Sequence, residues 1–136
     1  MSRRTVVVTI ALVVAALATA GSGPAHRRAS ERLPDPSAFR PGTCRTVAGP
    51  VLTLARLDRT LRDAPALPSA DRGRITDAQR QLLGAPADPA LAGPLRDLVT
   101  AVGYVRLRAD TGSYSAAVWR DADARRRAVQ RACVRG

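Results

Sequence analysis

The chain has 136 residues, enough for one domain, and 46% of them are hydrophobic, which is ordinary for a globular protein. Aromatic residues make up only 3%, so the core must be built from Leu, Val and Ala, which favours helices over a β-sandwich or barrel. The formal net charge is +11 and every basic residue is Arg, which allows an acidic partner. Nucleic acid is disfavoured as that partner because no recognisable module and no aromatic stacking residues accompany the arginines.

The first segment of the chain has the three parts of a secretory signal. Arg3 and Arg4 form a positive start, residues 5–17 are an almost uninterrupted apolar run, and residues 18–20 are a small-x-small cleavage site. Residues 1–20 are therefore predicted to be a cleaved signal peptide. The two adjacent arginines also loosely match a twin-arginine export signal.

An alternative is that residues 5–20 remain in place as a membrane anchor. The run is shorter than the ~20 apolar residues that usually span a bilayer. By the positive-inside rule, Arg3 and Arg4 would then stay on the cytoplasmic side. Both alternatives place the rest of the chain outside the cytoplasm, either secreted or tethered at the cell envelope.

Residues 21–42 contain four prolines and show no apolar period, which predicts a flexible, Pro-rich linker. Phe39 is the one residue of this linker that is a candidate to fold back onto the domain. His26 is the only histidine of the chain, and a lone histidine in a linker can build neither a metal site nor an ordered acid–base group.

Residues 43–136 are predicted to form an all-α domain of four helices. The first helix is predicted over residues 43–64. Its apolar residues recur at helical spacing: Val47, Val51, Leu54 and Leu61. Gly49 and Pro50 either kink this helix or mark its true start.

The second helix is predicted over residues 71–83, before a stop at Gly84, with Thr76 as an alternative cap for a later start. The third helix is predicted to begin near residue 88 or 93 and to run to residue 109. It has the best apolar stripe of the chain: Leu91, Leu95, Leu98, Val102 and Val105.

The fourth helix is predicted over residues 113–135 and is rich in arginine, with Ser113 and Ser115 both plausible as its N-cap. Its apolar positions are Val118, Ala122, Val129 and Cys133. Another face carries four arginines: Arg120, Arg127, Arg131 and Arg135. The ordinary interpretation of such a run is a solvated face. The alternative is contact with an anionic surface such as lipid headgroups, a cell-wall polyanion or nucleic acid.

Four helices with short connections predict a small up-down bundle. In that arrangement the start of the first helix and the end of the fourth lie at the same end, which is where Cys44 and Cys133 fall. The export signal and this geometry both favour one disulfide between them. A redox or nucleophilic role is disfavoured because there is neither a C-x-x-C spacing nor a partner histidine.

Residues 110–113 read Asp-Thr-Gly-Ser, the local sequence of aspartic proteases. That chemistry needs two carboxylates on facing β-loops. Here the string lies between two helical patterns, so we interpret it as a turn. No nucleophile elbow, phosphate-binding loop or zinc motif is found, so no catalytic, cofactor-binding or metal-ligating residue is predicted.

Two further sets of residues border the predicted core. Asp58 is the one acid beside the apolar stripe of the first helix, and we expect it to reach solvent rather than to be buried against an arginine. Tyr104, Tyr114 and Trp119 bracket the turn before the fourth helix, and we expect them to plug the end of the core rather than to line a ligand site.

The sequence therefore predicts an exported, non-enzymatic helical protein of the cell envelope or the extracellular space. Its predicted role is interaction with a protein partner or an anionic surface, and no motif names that partner. One alternative is a basic binder of anionic surfaces. Another is a small enzyme, or enzyme subunit, whose site the sequence does not reveal.

Overall fold

The computed structural model describes residues 32–135. The predicted signal peptide or anchor (residues 1–20) and the first half of the predicted linker lie outside the described residues.

Four α-helices follow a short 3-10 helix at Pro36–Ala38. They are α1 (Thr43–Leu61), α2 (Ser69–Leu83), α3 (Ala92–Asp110) and α4 (Ala116–Cys133). Within residues 32–135 no strand forms, and one isolated bridge pairs Phe39 with Val134. The prediction of an all-helical domain is confirmed.

The helices close into a bundle in which each packs on two neighbours: α1 on α2 and α4, and α3 on α2 and α4. The Thr43 hydroxyl donates to the Pro86 carbonyl at 3.2 Å, which sets the start of α1 beside the chain that leaves α2. The disulfide between Cys44 and Cys133 joins the start of α1 to the end of α4, with the two Cα atoms 5.2 Å apart. The predicted disulfide is therefore present.

The core is built from the predicted apolar stripes. Its fully buried aliphatic residues include Val47, Val51, Leu61, Ile75, Leu98, Val102, Val105 and Val129. Trp119 and Phe39 supply the two large aromatic side chains. Both cysteines are also buried, Cys44 at 3% exposed and Cys133 at 0%, so the disulfide lies inside the packed end of the bundle.

Several helix boundaries differ from the predicted ones. α1 begins at Thr43 as predicted and continues through the buried Pro50, so the alternative start at Gly49 and Pro50 is wrong, and it ends at Leu61 instead of residue 64. α2 begins two residues earlier than predicted, and the hydroxyl of Thr76 donates to the Arg72 carbonyl inside the helix instead of capping it. α4 begins at Ala116 after Ser115, the second of the two predicted caps, and it ends two residues earlier than predicted.

Residues 32–42 were predicted as part of a mobile linker, and the structure differs there. Phe39 is fully buried, and the backbone on either side of it pairs with the end of α4. The Arg40 N–H donates to the Cys133 carbonyl at 2.9 Å, and the Arg135 N–H donates to the Ala38 carbonyl at 3.2 Å. We call residues 32–42 the N-terminal strap. One buried phenyl ring, together with these backbone bonds, outweighs the local prolines in deciding whether this segment packs.

The Asp-Thr-Gly-Ser string forms the predicted turn. Gly112 takes a left-handed conformation with φ of 67°, which glycine adopts without steric cost. The Gly112 N–H donates to the Ala109 carbonyl at 3.2 Å, and the Ser113 N–H donates to the Arg108 carbonyl at 2.7 Å. These bonds satisfy carbonyls at the end of α3 and redirect the chain into α4.

None of the helices within residues 32–135 is long and apolar enough to cross a membrane.

Candidate interaction surfaces

The structure divides the four predicted surface arginines of α4 into two kinds. Arg120 lies 3.7 Å from Asp63, and both side chains are exposed. Arg127 is half-buried and donates to Asp123 at 2.8 Å. Arg131 and Arg135 are exposed, and neither forms an ion pair with a described residue. Of these four arginines, only Arg131 and Arg135 leave their charge open to an external partner.

Asp58 is 9% exposed, so the expectation that it reaches solvent is wrong. Its Oδ1 accepts a hydrogen bond of 3.0 Å from the indole N–H of Trp119, on α4. Its Oδ2 accepts from Arg62 at 2.5 Å and lies 3.9 Å from Arg127. The carboxylate is buried because these donors replace the water that it would otherwise bind.

A second buried pair lies within α4. Arg126 is 1% exposed and donates through Nε to the Asp123 carboxylate at 2.6 Å. Its guanidinium also donates to the side-chain oxygen of Gln130. A buried charge is tolerated when it is paired and hydrogen-bonded. This network therefore acts as a polar part of the core.

Sequence reasoning missed the burial of Arg126, although a signal was present. Arg126 stands four residues after Ala122 and three before Val129, which puts it in the middle of the buried stripe of α4. Asp123, three residues earlier, supplies the counter-charge. Arginine in an apolar stripe with an acid one turn before it indicates an internal ion pair.

The end of the bundle that holds the disulfide carries arginines of a different kind. The Arg40 guanidinium donates to the carbonyl of Ala132, and the Arg45 guanidinium donates to the carbonyls of Ser37 and Phe39 at 3.1 and 3.0 Å. A carbonyl dipole orients a guanidinium without cancelling its charge. We define the arginine end by four residues: Arg40, Arg45, Arg131 and Arg135. All four are exposed, and none forms an ion pair with a described residue.

An open apolar groove of about 510 Å³ lies beside this end, between α2, α3 and the loop that connects them. Its walls are mainly apolar and include Leu83, Ala85, Pro86, Pro89, Leu95 and Val99. Leu83 is 66% exposed, which is high for a leucine at the edge of a small core. The bond from Thr43 to Pro86 ties this groove to the start of α1 and hence to the disulfide.

The three aromatic residues near the start of α4 do not line a common pocket. Trp119 is buried at 1% exposed, as expected for a core plug. The Tyr114 hydroxyl donates to the carbonyl of Leu61, the last residue of α1, at 3.0 Å. Tyr104 is 49% exposed, with the Arg108 guanidinium 5.7 Å from its ring centre. Tyr104 is therefore a surface residue and not part of the plug.

Two groups have pKa values moved by their surroundings. Burial raises the pKa of the Tyr114 hydroxyl above its ordinary value, because the ionised phenolate would lose solvation. A hydrogen bond from the Ser37 side chain, helped by the Ser37 backbone N–H, lowers the pKa of Asp35. The charge of Arg45 lowers the pKa of Asp35 further.

Metal-binding side chains are not gathered in the described part of the chain, where no group of three or more His, Cys, Asp or Glu residues is placed to hold an ion. Comparison of the chain with protein-family models, curated proteins and solved structures gives no match.

Proposed function

We propose that the protein is an exported, non-enzymatic helical bundle that acts by interaction in the cell envelope or the extracellular space. The observation that carries the proposal is the buried disulfide between Cys44 and Cys133. Disulfides persist in oxidising compartments and are rare in the cytosol. The signal-like sequence of residues 1–20 supports the same compartment.

The finer architecture belongs to the same proposal. The start of α2 lies beside the end of α3, since Arg72 reaches Asp110 at 3.3 Å. The start of α4 lies beside the end of α1, where Trp119 reaches Asp58. These contacts support an up-down bundle that follows an N-terminal export segment. A small bundle with few large side chains gains much of its stability from such a covalent closure.

The intact mass of the protein made by its own host tests this proposal, measured without reduction after blocking free thiols. A mass equal to residues 21–136 less two hydrogens, with no blocking group, is the expected result. The same sample blocked after reduction and unfolding is the control and should gain two blocking groups. Two blocking groups on the unreduced protein would overturn the proposal.

A mass that retains residues 1–20 would instead support the tethered alternative, with the bundle outside the membrane. In both forms the disulfide should be closed.

A second function, binding of anionic surfaces, is favoured by one observation: none of the four arginines of the arginine end forms an ion pair with a described carboxylate. Such binding should weaken steeply as salt is added, because exposed charges are screened over about 8–10 Å at physiological ionic strength. Co-sedimentation with anionic vesicles at 20 and at 300 mM salt tests it. Equal binding at the two salt concentrations would contradict an electrostatic mode.

A further inference from the structure

We propose that the arginine end is a docking face for an anionic phospholipid bilayer, with the exposed Leu83 and the adjoining groove entering the headgroup region. This inference deepens the proposed function and rests on its extracytoplasmic location. It names one face, one partner chemistry and the residues that recognise it.

The carboxylates that pair with arginines are unevenly distributed over the molecule. The ion pairs of the described chain lie along α1, α2 and α4 or at the far end of the bundle. At the arginine end, Asp35 accepts from the Ser37 N–H at 2.8 Å, and the charge of Arg45 helps to lower the pKa of Asp35, so these two opposite charges act on each other. The other three arginines of this end, Arg40, Arg131 and Arg135, form no ion pair with a described carboxylate. They leave an excess of cations on this face.

The geometry of the strap holds part of this charge in place. The Arg45 guanidinium spans the carbonyls of Ser37 and Phe39, and Arg40 is held against the end of α4. Phe39, fully buried, anchors the strap that carries these contacts. Ordered arginines lose less conformational freedom when they meet a phosphate than mobile ones do.

The apolar feature at the same end distinguishes a bilayer from a soluble polyanion. Leu83 is 66% exposed and stands at the rim of the apolar groove. A lipid interface accepts arginines at its phosphates and aliphatic side chains just below them. A phosphate polymer offers no such apolar layer, so it would use the arginines and leave Leu83 in water.

The strap lies at this same end of the bundle, because its residues Ala38 and Arg40 pair with the end of α4 beside the disulfide.

Flotation of the purified, host-processed protein with vesicles tests the proposal. Vesicles of phosphatidylcholine with 30% phosphatidylglycerol are compared with pure phosphatidylcholine, so that the effect of anionic lipid is measured even if an anchor is retained. Phosphatidylglycerol should raise the binding of the double variant Arg131→Gln/Arg135→Gln by about 30-fold less than that of the parent, since each arginine near the surface contributes roughly fivefold. Leu83→Ser should bind the anionic vesicles about fivefold more weakly than the parent, because its side chain no longer buries apolar surface.

The matched control is Arg56→Gln/Arg59→Gln. These two arginines are also exposed and without an ion pair to a described residue, and they lie on α1 away from the arginine end. Arg56 is twelve residues after Cys44, which is about 18 Å along the helix. The control has the same net charge as the test variant and should retain the binding of the parent. Thermal unfolding of all variants confirms that each is folded.

Three results would overturn the proposal. The first is equal loss in the test and control variants, which would indicate a diffuse charge effect. The second is vesicle binding by Leu83→Ser equal to that of the parent, together with parent binding to soluble polyphosphate as strong as to anionic vesicles. This result would indicate a polyanion partner. The third is no gain from phosphatidylglycerol in the parent. Since export and the disulfide are read from the intact mass, a failure of this proposal is distinguishable from a failure of the proposed function.

Discussion

The indole N–H of Trp119 donates a hydrogen bond of 3.0 Å to the carboxylate of Asp58, joining α4 to α1 inside the core. The same carboxylate accepts from Arg62, the residue that caps the end of α1. A buried acid thus joins the largest side chain of α4 to the last turn of α1.

Asp58→Ala should lower the free energy of unfolding by about 2–3 kcal/mol, because it leaves the buried indole N–H and Arg62 without their acceptor. Urea denaturation measures the change. In a double-mutant cycle with Trp119→Phe, the coupling should be at least about 1 kcal/mol. Asp63→Ala is the control, since its pair with Arg120 is exposed and should change stability by under about 0.5 kcal/mol. Additive effects of the two core variants would contradict the junction.

Asp123→Ala should be more damaging, with a loss of about 3–5 kcal/mol. Arg126 is 1% exposed, and the substitution removes the carboxylate that it contacts at 2.6 Å. Chemical denaturation again gives the value. Asp121→Ala is a matched control two residues earlier, because its pair with Arg125 is exposed. Similar losses for the two variants would show that the buried pair is not formed.

Removal of the disulfide by Cys44→Ala/Cys133→Ala should lower the stability by up to about 4–5 kcal/mol, since the bond closes a loop with a sequence separation of 89 residues. Thermal unfolding measures the loss. Because both sulfurs are buried, a mild reductant should open the bond slowly in the native protein and rapidly in denaturant. Equally fast reduction in both conditions would contradict this burial.

Phe39→Ala should detach the strap and cost about 3–5 kcal/mol, as for other fully buried aromatic residues. The backbone N–H groups of Arg40 and Arg135, which bond to the Cys133 and Ala38 carbonyls, should then exchange with deuterium faster than in the parent protein, as measured by mass spectrometry. Leu83→Ala is the control for loss of an apolar side chain, since Leu83 is 66% exposed. Unchanged exchange at these two amides would mean that the strap is held by its backbone bonds alone.

Tyr114 should make the bundle less stable at alkaline pH. Burial raises the pKa of the Tyr114 hydroxyl in the folded protein above the unfolded value of about 10. The stability that the neutral hydroxyl contributes to the fold is therefore fully present below pH 10, and it is lost as the pH rises from 10 through the folded pKa. Thermal melts from pH 8 to 11 should show this loss in the parent and less of it in Tyr114→Phe. Tyr104→Phe, at a residue 49% exposed, is the matched control and should follow the parent.

Helical periodicity was sufficient to predict much of this fold. The stripe that includes Val47 and Val51 is buried as predicted, because residues three and four apart share a face in any α-helix. Asp121 and Arg125, four residues apart, likewise form an ion pair along α4. Interactions of this kind depend only on neighbours within one helix, so a single sequence contains them.

The candidate surface was predicted only in part. Arg131 and Arg135 remained exposed, whereas Arg127 turned inward to Asp123. Arg40 and Arg45 were not predicted as members of one face with Arg131 and Arg135. Their grouping follows from the strap folding across the end of the bundle, which joins residues that are about 90 positions apart.

The sequence by itself determined the all-helical class, the apolar stripes and the pairing of Cys44 with Cys133. Local periodicity suffices for the first two, and a chain with two cysteines has only one possible internal pairing. Only the tertiary structure decided that Asp58 and Arg126 are buried and that Phe39 anchors the strap. The physical reason is that burying a charge or a loop depends on what the neighbouring elements supply. A carboxylate enters a core only where donors from other parts of the fold meet it, and such donors are set by packing rather than by spacing along the chain.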